Sequence, residues 1–401
     1  MAEAVKPIFD PWSEAFKTDA FQVYKDFRAH APVFQNVDGG WIIATYDACF
    51  RLLSDRKSLL RTPELGNFPP GRFHDYNRFS MAYMDAPDHP RVRSALASAF
   101  TAGALANLGP AIQAACDELL DKLIDADSFD FVKEFAEPFP LHVVCELIGV
   151  PRDERALFHR AAHAVTAGLE PGASAERLAA ADRACTELGE VLEGYMEERR
   201  RTPTGDIISL MLTHQESSKL THDEFVNQLI FLLLAGHETT ATLLTFGMKL
   251  LLEQPDVANR LRDNPDLIGK AVEEFLRLHP AVHFVPYTAA QPIEIQGVTI
   301  PAGSHMTVML ASANRDADQF PNPDVLDIER SNSARHLAFS TGGHSCLGNN
   351  LARAEARIAF KTILSRMPDL QSGGTPKRVD KIMFQGFESL PVRRAMTTEP
   401  A

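Results

Sequence analysis

A glycine-rich segment near the C-terminus presents one cysteine in a setting suited to metal binding. Residues 339–348 read F-S-T-G-G-H-S-C-L-G, and an alanine-rich helical pattern follows over residues 352–360. Glycines let the backbone turn tightly beside a flat ligand, and nearby N–H groups with a helix N-terminus favour a negative sulfur. Cys346 is therefore a candidate thiolate ligand. Two other interpretations are a small buried thiol and a catalytic dyad with His344.

A second group of polar residues interrupts a long apolar helical pattern. Residues 235–240 read A-G-H-E-T-T. Gly236 costs about 1 kcal/mol of helix stability relative to alanine, and Glu238 beside hydroxyl groups is costly in apolar surroundings. Polar residues that break local rules in a buried element are expected at functional sites. The alternative is that Thr239 and Thr240 only hydrogen-bond to carbonyl groups one turn back and bend the helix.

Two charged pairs at helical spacing are further candidates. Glu274 and Arg277 lie three apart in E-E-F-L-R and can form an ion pair on one helix face, although most such pairs are surface features. His89 and Arg93 lie four apart where a helix is predicted to begin, so both donors can point the same way. Because arginine can hold a carboxylate with two N–H groups, this pair is a candidate anion site rather than only a solvated basic turn.

The composition indicates a globular protein. The chain has 401 residues, of which 45% are hydrophobic and 23% charged, so it can bury a sizeable core. The net charge of −13 argues against general nucleic-acid binding and against an anionic membrane surface. The five cysteines are scattered and odd in number, which indicates neither a disulfide framework nor a zinc site and favours a reducing cytoplasm.

The sequence predicts neither a secretory signal peptide nor a membrane-spanning helix. The N-terminal M-A-E-A-V-K-P shows no signal-peptide pattern. Residues 229–252 are long and apolar enough to span a bilayer, but Gly236, His237 and Glu238 interrupt their centre. A charge at mid-membrane is expensive, so the sequence favours a buried helix in a cytoplasmic protein.

The remaining patterns predict a mainly α protein with small β-sheets at its edge. The long central helix begins at a capping box, Thr221 to Glu224, and ends before Pro255. With no repeat or linker in the sequence, we expect one domain over residues 1–401. Helices are predicted over residues 15–30, 90–99, 108–124, 141–148, 153–167, 175–201, 207–213, 221–253, 256–263, 266–278 and 350–366. Strands are predicted over residues 33–35, 41–46 and 390–392, with a small meander over 293–295, 298–300 and 306–310.

In their order and spacing, these segments resemble the cytochrome P450 family, whose haem-ligand loop reads F-G-x-G-x-H-x-C-x-G. The matching positions are Phe339, Gly342, His344, Cys346 and Gly348. Ser340 replaces the first glycine. The family also carries A-G-x-[DE]-T, E-x-x-R and H-x-x-x-R segments in the order found here. The resemblance runs through most of the chain and implies the P450 fold, with haem b between the long central helix and the cysteine loop.

The resemblance also implies a role for each candidate residue. Cys346 would ligate the haem iron, while Thr239 would hydrogen-bond the oxygen being activated and Glu238 would relay protons. The ion-paired residues Glu274 and Arg277 would support the haem loop structurally. The other residues carried over are His89, Arg93 and His344 as propionate partners, Ala235, Gly236 and Gly348 beside the haem, and Arg330 as a third member of the ion-pair network.

One position departs from the family pattern. After the E-x-x-R segment, family members commonly place an arginine that binds a haem propionate. Here the run V-P-Y-T-A-A-Q places Tyr287 at that point. A phenol can donate one hydrogen bond but carries no positive charge. The partner of the second propionate is therefore in question, or more of that role falls to His344.

The implied function is a monooxygenase that uses O2 to hydroxylate or otherwise oxidise a hydrophobic small molecule. The sequence has no Gly-rich dinucleotide fingerprint and no cysteine cluster, so electrons would come from a separate ferredoxin or flavodoxin with its NAD(P)H-dependent reductase. A basic patch for such a partner is predicted from Arg91, Arg93, Arg353 and Arg357.

The substrate pocket is expected to be mainly apolar, with His283 as a polar contact. Two other functions remain open at this point: a haem-thiolate binding or sensor protein without turnover, and a cysteine hydrolase that uses Cys346 and His344. The expected pocket walls are the loop of residues 68–83, residues 232–235 with Leu232, residues 282–285 with Val282 and Val285, and Phe384.

Overall fold

Helices make up most of the protein, which confirms the predicted mainly α fold with small sheets. The structure is a computed structural model that describes residues 7–61 and 68–395. The α-helices are α1 Glu14–His30, α2 Tyr46–Ser54, α3 Arg72–Phe79, α4 Asp88–Ala97, α5 Ala102–Leu123, α6 Pro138–Ile148, α7 Arg155–Leu169, α8 Ala175–Arg201, α9 Ile207–Ser218, α10 His222–Glu253, α11 Pro255–Asp263, α12 Ile268–Leu278, α13 Leu310–Ala313 and α14 Asn349–Arg366. A π-helical turn, Val132–Ala136, precedes α6.

The strands are short and lie at the edge of the helical body. They are β1 Val33–Gln35, β2 Trp41–Ile43, β3 Leu59–Leu60, β4 Ser128–Asp130, β5 Val285–Ala289, β6 Ile293–Ile295, β7 Val298–Ile300, β8 His305–Val308, β9 Leu370–Ser372, β10 Lys377–Arg378, β11 Phe387–Ser389 and β12 Pro391–Arg394. The largest sheet has the order β1-β2-β8-β5-β3, and β4-β12-β9 form a second sheet. The pairs β6-β7 and β10-β11 complete the set among the described residues.

The central helix α10 begins and ends as its sequence predicts. The Thr221 hydroxyl accepts from the Glu224 N–H, and the Glu224 side chain accepts from the Thr221 N–H, which closes the capping box. Pro255 starts the next helix. Within the described chain, α10 alone is long and apolar enough to cross a membrane, and 72% of its most apolar window is buried. It is therefore surrounded by protein as a core helix.

Close packing around α10 depends on one glycine. A Cβ at Gly247 would lie 2.4 Å from the ring of Phe360 and 2.7 Å from that of Phe275. Because real Cβ atoms do not approach so closely, glycine allows α12 and α14 to pack directly against α10. These two helices carry the E-x-x-R pair and the residues that follow Cys346.

Several expectations differ from the structure in detail. The segment 68–83, expected to be a loop, contains α3, and strand 41–46 ends at Ile43 because α2 begins at Tyr46. The expected meander is a β6-β7 hairpin, while β8 joins the large sheet between β2 and β5. The signal-peptide expectation rests mainly on residues 1–6, outside the described residues. A single domain over residues 1–401 stays a prediction.

Candidate active site around Cys346

A cavity of about 1020 Å³ lies between α10 and the loop that carries Cys346. That volume includes space open to solvent, and most of the cavity wall is apolar. Ala235, Gly236 and Thr239 face it from α10, while Cys346 and Gly348 face it from the opposite side. Its apolar lining includes Met81, Phe100, Val144, Leu147, Phe231, Leu232, Val285, Leu347 and Leu351.

The Cys346 loop is fixed by its own backbone. The Cys346 N–H donates to the carbonyl oxygen of Phe339 at 2.8 Å. Gly342 has φ +70° and lies against α2, where a Cβ would be 2.1 Å from the Leu53 carbonyl oxygen. Ser340, which stands where the family pattern has glycine, has φ +54°. A side chain at such φ is strained, which gives a physical reason for glycine at this position.

The environment of Cys346 suits a metal ligand better than a free nucleophile. Burial raises the pKa of the Cys346 thiol, while the Gly348 N–H and the charges of Arg93 and Arg353 act in the opposite direction. A buried thiol with a raised pKa is a poor nucleophile, whereas a coordinating metal ion deprotonates it. The Cys346 N–H and Gly348 N–H contacts hold the sulfur in place toward the cavity.

Hydrogen-bond donors gather on one side of the cavity. The rings of His89 and His344 lie 4.0 Å apart, and Arg93 lines the same wall. Burial and the neighbouring His89 and Arg61 lower the pKa of His344 to about 3, and burial with Arg93 lowers that of His89. Arg93 is half-buried and makes no ion pair with any described residue. The Asp85 carboxylate acts on the pKa of both histidines in the opposite direction. Arg93 and the two imidazoles can still accommodate further anionic carboxylates at this wall.

Arg61 lines the cavity but was not among the residues predicted from the sequence. Its guanidinium lies 4.9 Å from the centre of the Tyr287 ring and 5.5 Å from that of Tyr83. It donates to the carbonyl oxygens of Ala82 at 2.9 Å and Pro286 at 2.7 Å. A positive charge therefore lies beside Tyr287, the position where the family pattern has an arginine.

The polar residues of α10 divide between two faces. Thr239 lines the cavity and donates its hydroxyl hydrogen to the Ala235 carbonyl oxygen at 2.7 Å. His237 points away from the cavity and contacts the Glu137 carbonyl oxygen through Nε2 at 3.1 Å. A Cβ at Gly236 would lie 3.2 Å from Val144, so this glycine also permits the approach of α6.

Glu238 makes an ion pair that the sequence did not indicate. Its Oε1 accepts a hydrogen bond from Lys381, in the segment between β10 and β11. Both side chains are largely buried. The carboxylate therefore sits at the margin of the site rather than on the cavity wall.

The E-x-x-R residues form a buried network. Arg277 and Glu274 are fully buried, with Nε–Oε1 and Nη2–Oε2 distances of 2.6 and 2.9 Å. Arg330 Nε lies 3.1 Å from Glu274 Oε1, so two guanidinium groups share one carboxylate. The remaining N–H groups of Arg277 donate to the carbonyl oxygens of Asn314, Pro323 and Val325. The network ties α12 to the segment that leads into the cysteine loop.

Comparisons with known proteins agree with this geometry. Residues 174–385 match the family model for cytochrome P450. The biotin biosynthesis cytochrome P450 of Bacillus subtilis (strain 168) is 34% identical, over 95% of this chain and 97% of that protein. The 6-deoxyerythronolide B hydroxylase of Saccharopolyspora erythraea is 32% identical, over 95% of this chain and 97% of that protein. The chain belongs to the cytochrome P450 family.

The solved structures lead to the same family. The structure of P450BioI in complex with acyl carrier protein ligated to hexadec-9Z-enoic acid superposes with a TM-score of 0.89 at 32% identity. The match covers 95% of this chain and 99% of the P450BioI chain. This confirms the P450 fold. As a P450, the protein is an oxidoreductase of the monooxygenase class, and the cofactor of this family is haem.

The cavity fits the haem of a P450. It offers a buried sulfur on one side, as a thiolate-ligated iron requires, and cationic or hydrogen-bonding groups for two propionates at its edge. Arg93 has no protein carboxylate among the described residues, which leaves its guanidinium free for such a group. Glu355 of α14 also lines the cavity, and burial raises the pKa of its carboxyl group well above the usual value.

Two of the four expected substrate residues line the cavity of this P450. Leu232 and Val285 do, whereas Val282 and Phe384 pair with each other in an isolated β-bridge and are not among the lining residues. His283 is fully buried, with Nδ1 3.1 Å from the Tyr24 hydroxyl group, and does not line the cavity either. Of the expected loop 68–83, Met81 and Ala82 reach the cavity.

Most of the expected basic patch has other partners. Arg91 pairs with Asp88 and with Glu224, the capping-box residue of α10. Arg353 binds Glu273 through two N–H groups, at 2.6 and 2.9 Å. Burial alone would raise the pKa of Glu273, but hydrogen bonds from His336 and Arg353 lower this pKa to about 2. With Arg93 facing the cavity, only Arg357 of the four is exposed and without a described ion-pair partner.

Proposed function

We propose that this P450 oxidises a hydrophobic small molecule, most simply by hydroxylation. The observation that carries the proposal is the apolar cavity between Thr239 and Cys346. When bound, haem would supply the activation of O2, which a thiolate ligand to the iron favours. The apolar walls favour a substrate that is itself apolar and exclude bulk water from the reacting position.

In this proposal Cys346 would hold the iron of haem b, and the Gly348 N–H would stabilise its sulfur. Arg93, His89 and His344 bind the propionates, and Arg61 supplies the positive charge that Tyr287 lacks. Because anions at these side chains would offset the repulsion among them, the pKa values of both histidines would rise when haem binds.

The polar residues of α10 handle the protons of the reaction. Thr239 faces the cavity and would hydrogen-bond the oxygen that is being activated. Glu238 would pass protons toward Thr239, and its ion pair with Lys381 must open for the carboxylate to do so. While the ion pair with Lys381 is formed, Glu238 would not pass protons toward Thr239.

The electrons come from a separate redox partner in this proposal. We expect a ferredoxin or a flavodoxin with its NAD(P)H-dependent reductase, in the cytoplasm. Exposed Arg357 on α14 follows the cysteine loop and is the residue of the expected patch best placed to meet an acidic partner. A charge reversal, Arg357→Glu, should slow reduction by such a partner, whereas Arg201→Glu, at an exposed arginine at the end of α8, should not.

The absorption spectrum of the dithionite-reduced protein with carbon monoxide is the first test. A strongly red-shifted Soret band is expected in the wild type and in Cys49→Ala, which removes a buried thiol that does not line the cavity. The band should vanish in Cys346→Ala. A band that survives in Cys346→Ala, or its absence from correctly folded wild type, would refute thiolate ligation by this residue.

A second measurement separates an enzyme from a haem-thiolate sensor. With a ferredoxin and reductase present, NADPH-driven oxygen consumption that rises with an apolar substrate and yields an oxygenated product is expected. Haem spectra that respond to ligands without any turnover would favour the sensor.

A further inference from the structure

Two histidines and a glutamate meet on the outside of the helical body, away from the haem cavity. His159 and His163 lie one turn apart on α7, and Glu137 lies between the π-helical turn and α6. All three side chains are partly exposed, at 36%, 41% and 25% respectively. None of them lines the cavity around Cys346. We call these three residues the α7 cluster.

Three atoms of the α7 cluster form a triangle of a specific size. His159 Nε2 and His163 Nε2 are 3.2 Å apart, and Glu137 Oε2 lies 3.8 Å from the first and 3.9 Å from the second. The circumcentre of this triangle is about 2.1 Å from each atom. Zinc–nitrogen and zinc–carboxylate distances in proteins are about 2.0 to 2.2 Å. An ion at this centre would lie in the plane of its three ligands, so a tetrahedral site with a fourth ligand needs Glu137 Oε2 to move about 0.4 Å closer to the imidazoles.

Hydrogen bonding accounts for only one side of the triangle in the α7 cluster. The two imidazoles can share one proton between their Nε2 atoms, since they lie 3.2 Å apart. At 3.8 and 3.9 Å, the Glu137 oxygen is too far from either nitrogen for a hydrogen bond. The Glu137 oxygen therefore lies near both imidazole nitrogens without a hydrogen bond to either of them.

Buried contacts hold the α7 cluster in this position. The Glu137 N–H donates to the Val132 carbonyl oxygen at 2.9 Å, and the Glu137 carbonyl oxygen is contacted by His237 Nε2 at 3.1 Å. The buried His237 ring lies against the rings of His159 and His163, with centroid distances of 5.6 and 5.7 Å. Since the ligand-bearing elements are fixed beforehand, little ordering remains to be done on binding.

We propose that His159, His163 and Glu137 bind a Zn²⁺ ion, with water as the fourth ligand. Two imidazole nitrogens and one carboxylate oxygen are a ligand set that zinc uses, and imidazole disfavours the harder Mg²⁺ and Ca²⁺. The partial exposure of all three side chains leaves a path for the ion and a place for the water.

The ion would join α7 to the start of α6. Directly after α7, Glu170 accepts hydrogen bonds from the backbone N–H groups of Ile382 and Phe384. That segment also carries Lys381, the partner of Glu238. Zinc at the α7 cluster would therefore stiffen the helix that anchors one side of the active site, and it would stabilise the folded protein by linkage.

Equilibrium dialysis of the untagged, haem-loaded protein against Zn²⁺, after treatment with a chelator, tests the proposal. The wild type should bind one zinc per chain at the α7 cluster, and its thermal midpoint should rise with zinc. His163→Gln should lower the affinity at least ten-fold and abolish the rise. His222→Gln is the matched control, because His222 Nε2 also lies near a carboxylate, 3.2 Å from Glu193 Oε1, and it should behave as wild type.

Glu137→Gln keeps both imidazoles and the size of the side chain, so it provides a second variant if His163→Gln folds poorly. It should also weaken zinc binding while the carbon monoxide spectrum stays that of the wild type, since the cluster lies outside the cavity. Wild type that binds no zinc, or binding that is unchanged in both variants, would overturn the proposal.

Discussion

The proton-relay role proposed for Glu238 can be tested by replacing its carboxylate, which forms an ion pair with Lys381. Glu253, on the same helix, pairs with Lys249 at 2.6 Å. If Glu238 relays protons, Glu238→Gln should lower product formation on the order of 10²-fold, the lower end for general acid–base groups. Glu253→Gln removes a similar pair far from the cavity and should leave turnover unchanged. Steady-state turnover with matched haem content measures both, and equal rates in the two variants would remove Glu238 from the relay.

The cost of a serine in the haem loop can also be measured. Ser340 has φ +54°, where a side chain is strained by about 1 kcal/mol or more. Ser340→Gly should therefore raise the free energy of unfolding by about 1 kcal/mol. Ser345, in the same loop, has φ −55°, so Ser345→Gly should give no such gain. Denaturant titrations of the haem-loaded variants give the comparison, and a loss of stability in Ser340→Gly would contradict the strain argument.

Individual residues differed in how well the sequence predicted their positions. The spacing of His89 and Arg93, and the loop with Cys346 and His344, led to side chains that line one cavity. Arg61 was not found, because β3 has two residues and no alternation that would fix its register. In the structure Leu60 pairs with Thr288, so Arg61, which directly follows β3, lies beside Tyr287. Only this strand pairing shows that the positive charge of Arg61 lies beside Tyr287.

The same limit applies to whole elements. The strong signals, a capping box for α10 and a 27-residue helical pattern for α8, predicted ends that are correct to within a residue. The short helices α2 and α3 were missed. α2 does bury Ala48, Cys49, Leu52 and Leu53 on one face, but α3 is mostly polar and forms because α8 and α10 pack against it. Tertiary contacts decided that element, which a single sequence does not show.

The buried network of Glu274 determines how α12 is held against the cysteine loop. Glu274→Gln would leave Arg277 and Arg330 buried without their shared carboxylate. Removing one partner of a buried ion pair costs about 3–5 kcal/mol. We therefore expect that loss in unfolding free energy, with a fall in haem content of the purified protein.

Glu329→Gln is the matched control for the network. Glu329 pairs with Arg260 on the surface, where both side chains are more than half exposed. An exposed pair contributes less than about 1 kcal/mol, so this variant should unfold nearly as the wild type does. Comparable losses in the two variants would mean that the buried network contributes nothing beyond a surface pair.

Across the whole molecule, several histidines are buried as neutral groups. Burial lowers the pKa of His283 and His237 to about 3 and that of His142 to about 4, and nearby positive charges add to the effect. In the unfolded chain the same imidazoles take up protons near pH 6.5. The unfolded state therefore binds more protons as the pH falls below 6.5, which lowers stability until the folded pKa values are reached.

His283 allows this linkage to be isolated. Between pH 6 and pH 5 each such histidine should lower the free energy of unfolding by about 1 kcal/mol. In the wild type the Tyr24 hydroxyl group lies 3.1 Å from His283 Nδ1. His283→Asn keeps an acceptor for this hydroxyl group but removes the titrating imidazole. Whatever the variant costs at pH 7, its loss of stability from pH 6 to pH 5 should be about 1 kcal/mol smaller than that of the wild type. Denaturant titrations at the two pH values measure both losses, and equal losses would show that His283 is not buried as a neutral group.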